Sequence, residues 1–362
     1  MAFTSIDNPE LYFQAKNYSG NSTGSTTQAI TLDGDENMTP DIVWLKSRSD
    51  AEKHWIVDSV RGITNGLNTH LNSAETSSIS MVSFDTDGYT VGTDNYSINK
   101  SGSNYASWCW KAGGTASSNT DGTNITTSVS AGTTQGISVF TYTGSGTISD
   151  TAGHGLGVKP AMVWVKNRSR GPTQQLVWHK NLTSTKNLNM RTTDIELDST
   201  ESGWQRGVLG VPTTSVITFT AGFANNENHN NSSDNYVCWC FLERQGFSKF
   251  SSFEGTGNVD GTFCWCGFAP SFVMVKKISE AREWMIWDNK RDTFNPAKTV
   301  LHADGTSADD ASTSYEMIDV LSNGFKLRQS DTDTNQRCGT YIFMAFAEAP
   351  FVNSKGVPCQ AK

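Results

Sequence analysis

Apolar residues fall in short runs separated by polar, glycine-rich stretches, and the same runs return three times in the same order. The first is an apolar strand after a proline, Pro40-Asp-Ile-Val-Trp-Leu-Lys-Ser-Arg-Ser49. It returns as Pro160-Ala-Met-Val-Trp-Val-Lys-Asn-Arg-Ser169 and, more loosely, as Pro270-Ser-Phe-Val-Met-Val-Lys-Lys-Ile-Ser279. A second run follows each: His54 to Arg61, Gln175 to Lys180 and Trp284 to Arg291. A third closes each copy, beginning at Tyr105, Tyr236 or Tyr341 and reaching an aromatic at Trp110, Phe241 or Phe346. An aromatic-x-Gly pattern opens the copies at Tyr18, Tyr142 and Phe253.

Each copy is about the size of a small domain. The boundaries that follow are 1–113, 123–246 and 247–352, with 114–122 a Ser/Gly-rich linker and 353–362 a loose tail. Within each copy the runs are β-branched and aromatic, such as Ile137 to Tyr142, and are bounded by turn signals such as Asp87-Gly88 and Asn323-Gly324. Strand, turn and strand at short intervals predicts an all-β chain of three tandem two-sheet sandwiches. Trp44 and Trp164 occupy one place in two copies and mark a shared core position. The repeated aromatics read as core. The unrepeated Trp204, with Trp55 and Trp178, reads as surface platform.

Composition agrees. Among 362 residues there are 11 Trp, 18 Phe and 9 Tyr with 32 Gly, and only 18% are charged. So many aromatics must be buried somewhere, which excludes a disordered chain. A net charge of −8 and a pI near 5.3 argue against nucleic acid as a partner. No apolar window is long enough for a membrane helix, so no membrane insertion is predicted. The first residues lack a basic stretch followed by an apolar core, so no secretory signal is predicted. Seven cysteines include two Cys-Trp-Cys triplets, 238–240 and 264–266. That spacing is not the usual zinc pattern, and small apolar side chains packed in a sheet are the expected reading.

The Pro-Asp-Ile-Val-Trp-Leu-Lys-Ser-Arg-Ser element at 40–49, Asp58-Ser-Val-Arg-Gly62 and Tyr-Ala-Ser-Trp-Cys-Trp-Lys-Ala-Gly-Gly at 105–114 resemble a group of marine bacteriophage proteins. Phe84-Asp-Thr-Asp-Gly-Tyr89, Gly153-His-Gly-Leu-Gly157 and Tyr341 to Phe351 are similar to the same group. Its members are tail-fibre-like and other virion structural proteins with tandem β-sandwich domains. The resemblance spans about residues 12–352. It implies a jelly-roll, concanavalin-like sandwich, a place on the exterior of a virion assembled in the host cytoplasm, and a homotrimer as one mode of assembly. No heptads or short-period shaft repeats accompany it.

Candidate chemistry is sparse. The P-loop and HExxH patterns are missing. Glu196, Asp198 and Glu201 lie close enough in sequence to suggest a glycosidase pair, but a solvated acidic loop accounts for them. Asp331-Thr-Asp-Thr-Asn335 begins like a calcium loop and then departs from it, with Gln336 where Gly is needed; Asx turns account for it. Asp58, His179 and Asp288 form one column of the repeat, but in separate tandem domains they share no site unless the copies pack about a pseudo-threefold axis. The expectation is therefore a non-enzymatic virion structural protein without cofactor or metal. It contacts other virion proteins and host-surface glycan, with Trp204, Trp55 and Trp178 as glycan platforms. Two alternatives stay open: an architectural head decoration or tail-hub adaptor, and a polysaccharide depolymerase.

Overall fold

The computed structural model describes residues 4–77, 79–93, 97–198, 207–220, 227–309 and 317–358. Across them the chain is all-β, and the described residues include no α-helix. Three large antiparallel sheets dominate. The first holds β1 (Phe13–Ser19), β2 (Ile42–Ser47), β3 (Trp55–Asp58) and β4 (Asn104–Trp110) in the order β1-β4-β2-β3. The second holds β5 (Ser117–Asn119), β6 (Thr127–Gly132), β7 (Ile137–Thr143), β8 (Met162–Asn167), β9 (Gln175–His179), β10 (Leu188–Asn189) and β11 (Asn235–Phe241). Its order is β10-β9-β8-β11-β7-β6-β5. The third holds β12 (Ser248–Glu254), β13 (Phe268–Lys277), β14 (Trp284–Asp288), β15 (Leu301–His302) and β16 (Thr340–Pro350), ordered β12-β16-β13-β14-β15.

The three orders are one pattern. In each, the closing strand lies between the opening strand and the post-proline strand, and the second apolar run pairs outside that. Smaller sheets back the large ones. In the first repeat residues 28–30, 88–91 and 81–85 pair, and in the third residues 263–265, 324–327 and 318–321. The turns expected at Asp87-Gly88 and Asn323-Gly324 join two-residue hairpins. The second repeat departs from the others. Residues 114–122, expected to be a linker, contribute β5, which with β6 extends the sheet past β7.

The central strands are buried along their whole length. All six residues of β2 and of β8 are buried, and all ten of β13. Alternate side chains of a strand face opposite ways, so burial of every residue requires a core on each face. One face of each large sheet packs on its own repeat. Val43, Leu45, Tyr105 and Cys109 join Tyr89 and Ile30 in the first; Val163, Val165, Cys238 and Cys240 join Phe140 and Trp178 in the second; Val273, Val275 and Phe343 join Phe325 and Cys264 in the third. The other faces meet in a fourth and larger cluster. It gathers Phe13, Trp44, Trp108 and Trp110 with Trp164, Trp239 and Phe241, and with Phe272, Met274, Met344 and Phe346.

That fourth core has quasi-threefold character. The equivalent closing aromatics Trp110, Phe241 and Phe346 form a triangle, with ring centroids 6.4, 5.7 and 5.9 Å apart. The seams between repeats repeat in turn. Gln175 of the second repeat donates through Nε2 to the Asn68 carbonyl of the first at 2.7 Å. Trp284 of the third donates through Nε1 to the Asn189 carbonyl of the second at 3.1 Å. His54 takes that place in the first repeat, with the His302 carbonyl of the third acting on its ring. The copies are therefore not independent beads, and Trp44 and Trp164 pack on each other across a seam at 5.6 Å rather than inside separate sandwiches.

Two seams carry a guanidinium. The Arg61 guanidinium lies 5.5 Å from the Trp239 ring and bonds Asp58 and Glu75, and Glu75 bonds Arg168 of the second repeat. Arg291 lies 5.8 Å from the Trp108 ring and bonds Asp288 and Asp309, and Asp309 bonds Arg48 of the first repeat. Leu182 and Met344 hold the equivalent places at the remaining seam, and both belong to the common core. Where the guanidinium is lost, so is the tryptophan it faces.

The loops at the Tyr ends are stitched identically. The hydroxyls of Tyr105, Tyr236 and Tyr341 accept from the amides of Lys100, Asn231 and Gln336. Their rings stack on Tyr18, Tyr142 and Phe253 at 5.0, 5.0 and 4.9 Å. The buried Asn99, Asn230 and Asn335 each tie down the opening-block loop through amide hydrogen bonds. The glycine of the aromatic-x-Gly pattern is demanded by close approach. A Cβ at Gly20, Gly144 or Gly255 would fall 2.2–2.3 Å from a backbone oxygen of the facing loop.

Removing one corner of the central triangle tests the shared core. Trp110→Ala is expected to lower unfolding free energy by about 3–5 kcal/mol, as for a large core truncation. Urea unfolding followed by tryptophan fluorescence and by far-UV circular dichroism should give one coincident transition, shifted for all three repeats together.

Candidate functional site

The tryptophans expected to be platforms are not on the surface. Trp55 is 7% exposed and Trp178 is 3% exposed. Period two explains this: Trp55 and Val57 point into the first repeat's own core, while Ile56 points into the common one. Trp178 likewise shares a face with Leu176, opposite Val177. Trp204 and Glu201 lie outside the described residues. Glu196 accepts from the amide and hydroxyl of Thr183, so its carboxylate closes a turn. Asp331 accepts from the amides of Asp333 and Thr334 and from the Thr334 hydroxyl, as an Asx turn does. The four triplet cysteines are buried in the repeats' own cores. Among the described residues no three His, Cys, Asp or Glu side chains gather as metal ligands.

The column Asp58, His179 and Asp288 does lie around one common core, but one residue per seam. Asp58 holds Arg61; Asp288 holds Arg291 and accepts from the Trp108 indole at 3.0 Å. His179 packs on Phe250, and burial pushes its imidazole down to about 3. These groups face packed protein, so they are seam fasteners.

The surface offers a different site in the third repeat. Trp265 is 54% exposed and Phe263 is 42% exposed, on alternate positions of the strand 263–265. Phe263 pairs with Lys326 and Trp265 with Gly324. The matching strand of the first repeat pairs Ala29 with Thr90 and Ile30 with Tyr89, so Ala29 and Thr31 stand where Phe263 and Trp265 do. The fold is built without these rings elsewhere, so packing does not account for them. The sequence signal for both rings is their lack of an aromatic counterpart in the first repeat, a signal hidden for Trp265 by its Cys-Trp-Cys triplet.

A cleft of about 290 Å³ opens beside Trp265, lined by Glu243, Arg244, Gln245, Ser248, Lys249 and Cys266. The Lys249 ammonium lies 5.3 Å from the ring centroid. Glu243 bonds both Lys249 and Lys180, which together outweigh its burial and hold its carboxyl below the usual range. Arg244 sends one Nη to the Thr133 carbonyl at 2.7 Å, while its buried Nε has no partner. Burial lowers the Arg244 guanidinium, and no carboxylate offsets it. A second, hydroxyl-rich groove of about 360 Å³ lies along β6 and β7, lined by Ser117, Thr126, Ser128, Thr141 and Asn235. It lacks an exposed ring.

The seams also carry a marked electrostatic perturbation. The lysines of the post-proline runs, Lys46, Lys166 and Lys276, are all buried. Lys166 reaches the Leu71 carbonyl of the first repeat at 3.3 Å. Burial, helped by Arg191, pushes its ammonium down to about 7; burial brings Lys46 and Lys276 to about 8.

Residues 8–350 match the model of a domain of unknown function, DUF7483, and the chain belongs to that family. No curated protein and no solved structure matches it. The family unit takes in all three repeats at once, as a core shared by three sheets requires.

The buried lysines give stability an unusual pH dependence. Above pH 7 the folded Lys166 sheds its proton while the unfolded chain keeps one up to the ordinary lysine range. The unfolded state thus binds more protons, and stability should rise from about pH 7 towards pH 10. Urea midpoints between pH 7 and 9.5 should climb for the wild type and climb less for Lys166→Met. A slope unchanged by that substitution would place the titration elsewhere.

Proposed function

We propose that the chain is a non-enzymatic structural protein of a bacteriophage particle. It is read as a tail-fibre-like appendage of three jelly-roll β-sandwich domains on the particle's exterior, contacting other virion proteins and host-surface glycan. The quoted blocks that resemble marine phage proteins motivate the virion assignment. The observation that carries the structural role is the common aromatic core. Three repeats share one aromatic core and each seam carries a hydrogen bond from the same run position, so the body resists piecemeal opening and holds its loops in fixed relative positions.

The same core bears on assembly. Trimeric appendages bury one face of each subunit along a threefold axis. Here one chain fills that place with its own three repeats. A chain of 39.4 kDa that migrates as a monomer in light scattering is the expected outcome, and a stable trimer would remove this part of the reading.

Adsorption competition tests the role. Purified protein incubated with host cells before phage is added should reduce adsorption in proportion to its concentration. Mass spectrometry of purified virions should find the chain in fixed stoichiometry. Unchanged adsorption with the chain present in capsid-scale copy number would favour a head decoration. Its absence from virions would sink the proposal. Release of reducing ends from host polysaccharide would turn the reading to a depolymerase.

A further inference from the structure

We propose that the Trp265 cleft binds a carboxylate-bearing sugar unit of a glycan, with Trp265 as the platform and Arg244 as the carboxylate receptor. The proposal names a ligand class for the glycan contact above and rests on that reading. Four observations lead to it. The first is the exposed ring of Trp265 itself, at a position where the equivalent repeat needs none. An aromatic face suits the C–H face of a pyranose, which is apolar while its rim is polar.

The second is charge. The chain carries −8 overall, yet the cleft and its immediate partners bring Lys180, Lys249 and Arg244 against Glu243 alone. A locally cationic cleft on an acidic protein selects anions. The third is Arg244. One Nη is held by the Thr133 carbonyl, which positions the guanidinium at the cleft wall; its Nε is buried, no carboxylate among the described residues offsets the charge, and the remaining Nη hydrogens are left for a ligand. A planar guanidinium matches a carboxylate through paired hydrogen bonds. Gln245 and Ser248 add neutral polar groups for hydroxyls.

The fourth is size. About 290 Å³ is at the small end of ligand clefts and fits one or two sugar units rather than a protein segment. Phe263 continues the aromatic strip two residues along the strand, roughly 7 Å away at β rise, about the scale of the next sugar ring. Lys326 and Arg328 flank that side, Asp260 bonding both and Asp319 bonding Arg328, so the excess positive charge is confined to the Trp265 end.

The test uses the full chain and two soluble probes of matched length, oligogalacturonate and neutral dextran fragments, in calorimetric titrations. Oligogalacturonate should bind, and dextran at least about tenfold more weakly. Raising salt from 0.05 to about 0.5 M should weaken the acidic probe selectively. Trp265→Ala should weaken oligogalacturonate about tenfold or more. Arg244→Gln should erase the preference for it over dextran. Both variants should melt close to wild type, since the Trp265 ring is exposed and its neighbours in other repeats lack it. Equal binding of the two probes, or wild-type binding by both variants, would overturn the proposal. So would a concentration-dependent dimer abolished by Trp265→Ala, which would make the face a contact between copies. Oligogalacturonate binding without adsorption competition would leave this site standing and remove the host-contact reading. Competition that survives Trp265→Ala would do the reverse.

Discussion

The structure depends on one constraint: the central strands of every repeat are apolar on both faces. A strand such as β2 carries Ile, Val, Trp and Leu in succession, so no register leaves one side fit for water. A single sandwich can satisfy only one of those faces. Its other face would expose Trp44, Trp108 and Trp110 together, far more contiguous apolar surface than a monomeric domain tolerates. Three repeats closing on one another supply the missing core. Burial of these rings, at roughly 25 cal/mol per Å² of apolar area, is the largest favourable contribution shared between repeats. The repeat is thus a structural unit without being an independent one.

The seams show how tightly that core constrains sequence. An arginine buried against a tryptophan needs its carboxylates, and both cationic seams supply two, one from the same run and one reached along the chain. Leaving such a guanidinium unpaired would cost about 3–5 kcal/mol. At the third seam leucine faces methionine, and Ile278 stands in the run position of Arg48 and Arg168 and packs against the common core. The substitutions make sense only as a set, since arginine alone against Met344 would lack both its ring and its acids. The buried lysines belong to the same arrangement. They line the same seams on backbone carbonyls, which is why their protonation couples to folding.

Much of this was legible from residues. The recurrence of Pro-x-x-Val, of the closing tyrosines and of the aromatic-x-Gly openings located every large sheet, and the Asx-Gly turns located the hairpins. The all-β class followed from the same runs. What periodicity could not supply was the second burial. Four successive apolar residues such as Ile42 to Leu45 already say that both faces are covered. Reading each copy as a separate sandwich left the outer face unassigned. That omission misplaces Trp55 and Trp178, which alternation already points inward; Trp178 moreover recurs as Trp287 of the third repeat, and both rings are buried in their own repeats' cores. The Asn99, Asn230 and Asn335 column also escaped notice, because asparagine is abundant here and its partners are distant loops.

Three copies in one chain also offer an internal control that a single domain lacks. A feature present in all three, such as the tyrosine stack or the buried lysine, is explained by the shared fold. A feature confined to one copy must be explained otherwise. By that criterion Trp55 and Trp178 fail as sites, because each has a local core that needs it. Trp265 and Phe263 pass, because the first repeat completes the same strand with Ala29 and Thr31. The β5 and β6 extension passes as well, but it presents hydroxyls without a hydrophobic anchor, and hydroxyls compete poorly with water for a ligand that is itself well hydrated. An exposed ring beside a guanidinium fixed on a backbone carbonyl and offset by no carboxylate among the described residues presents an apolar face and a charge together, which a purely hydroxyl-lined groove does not.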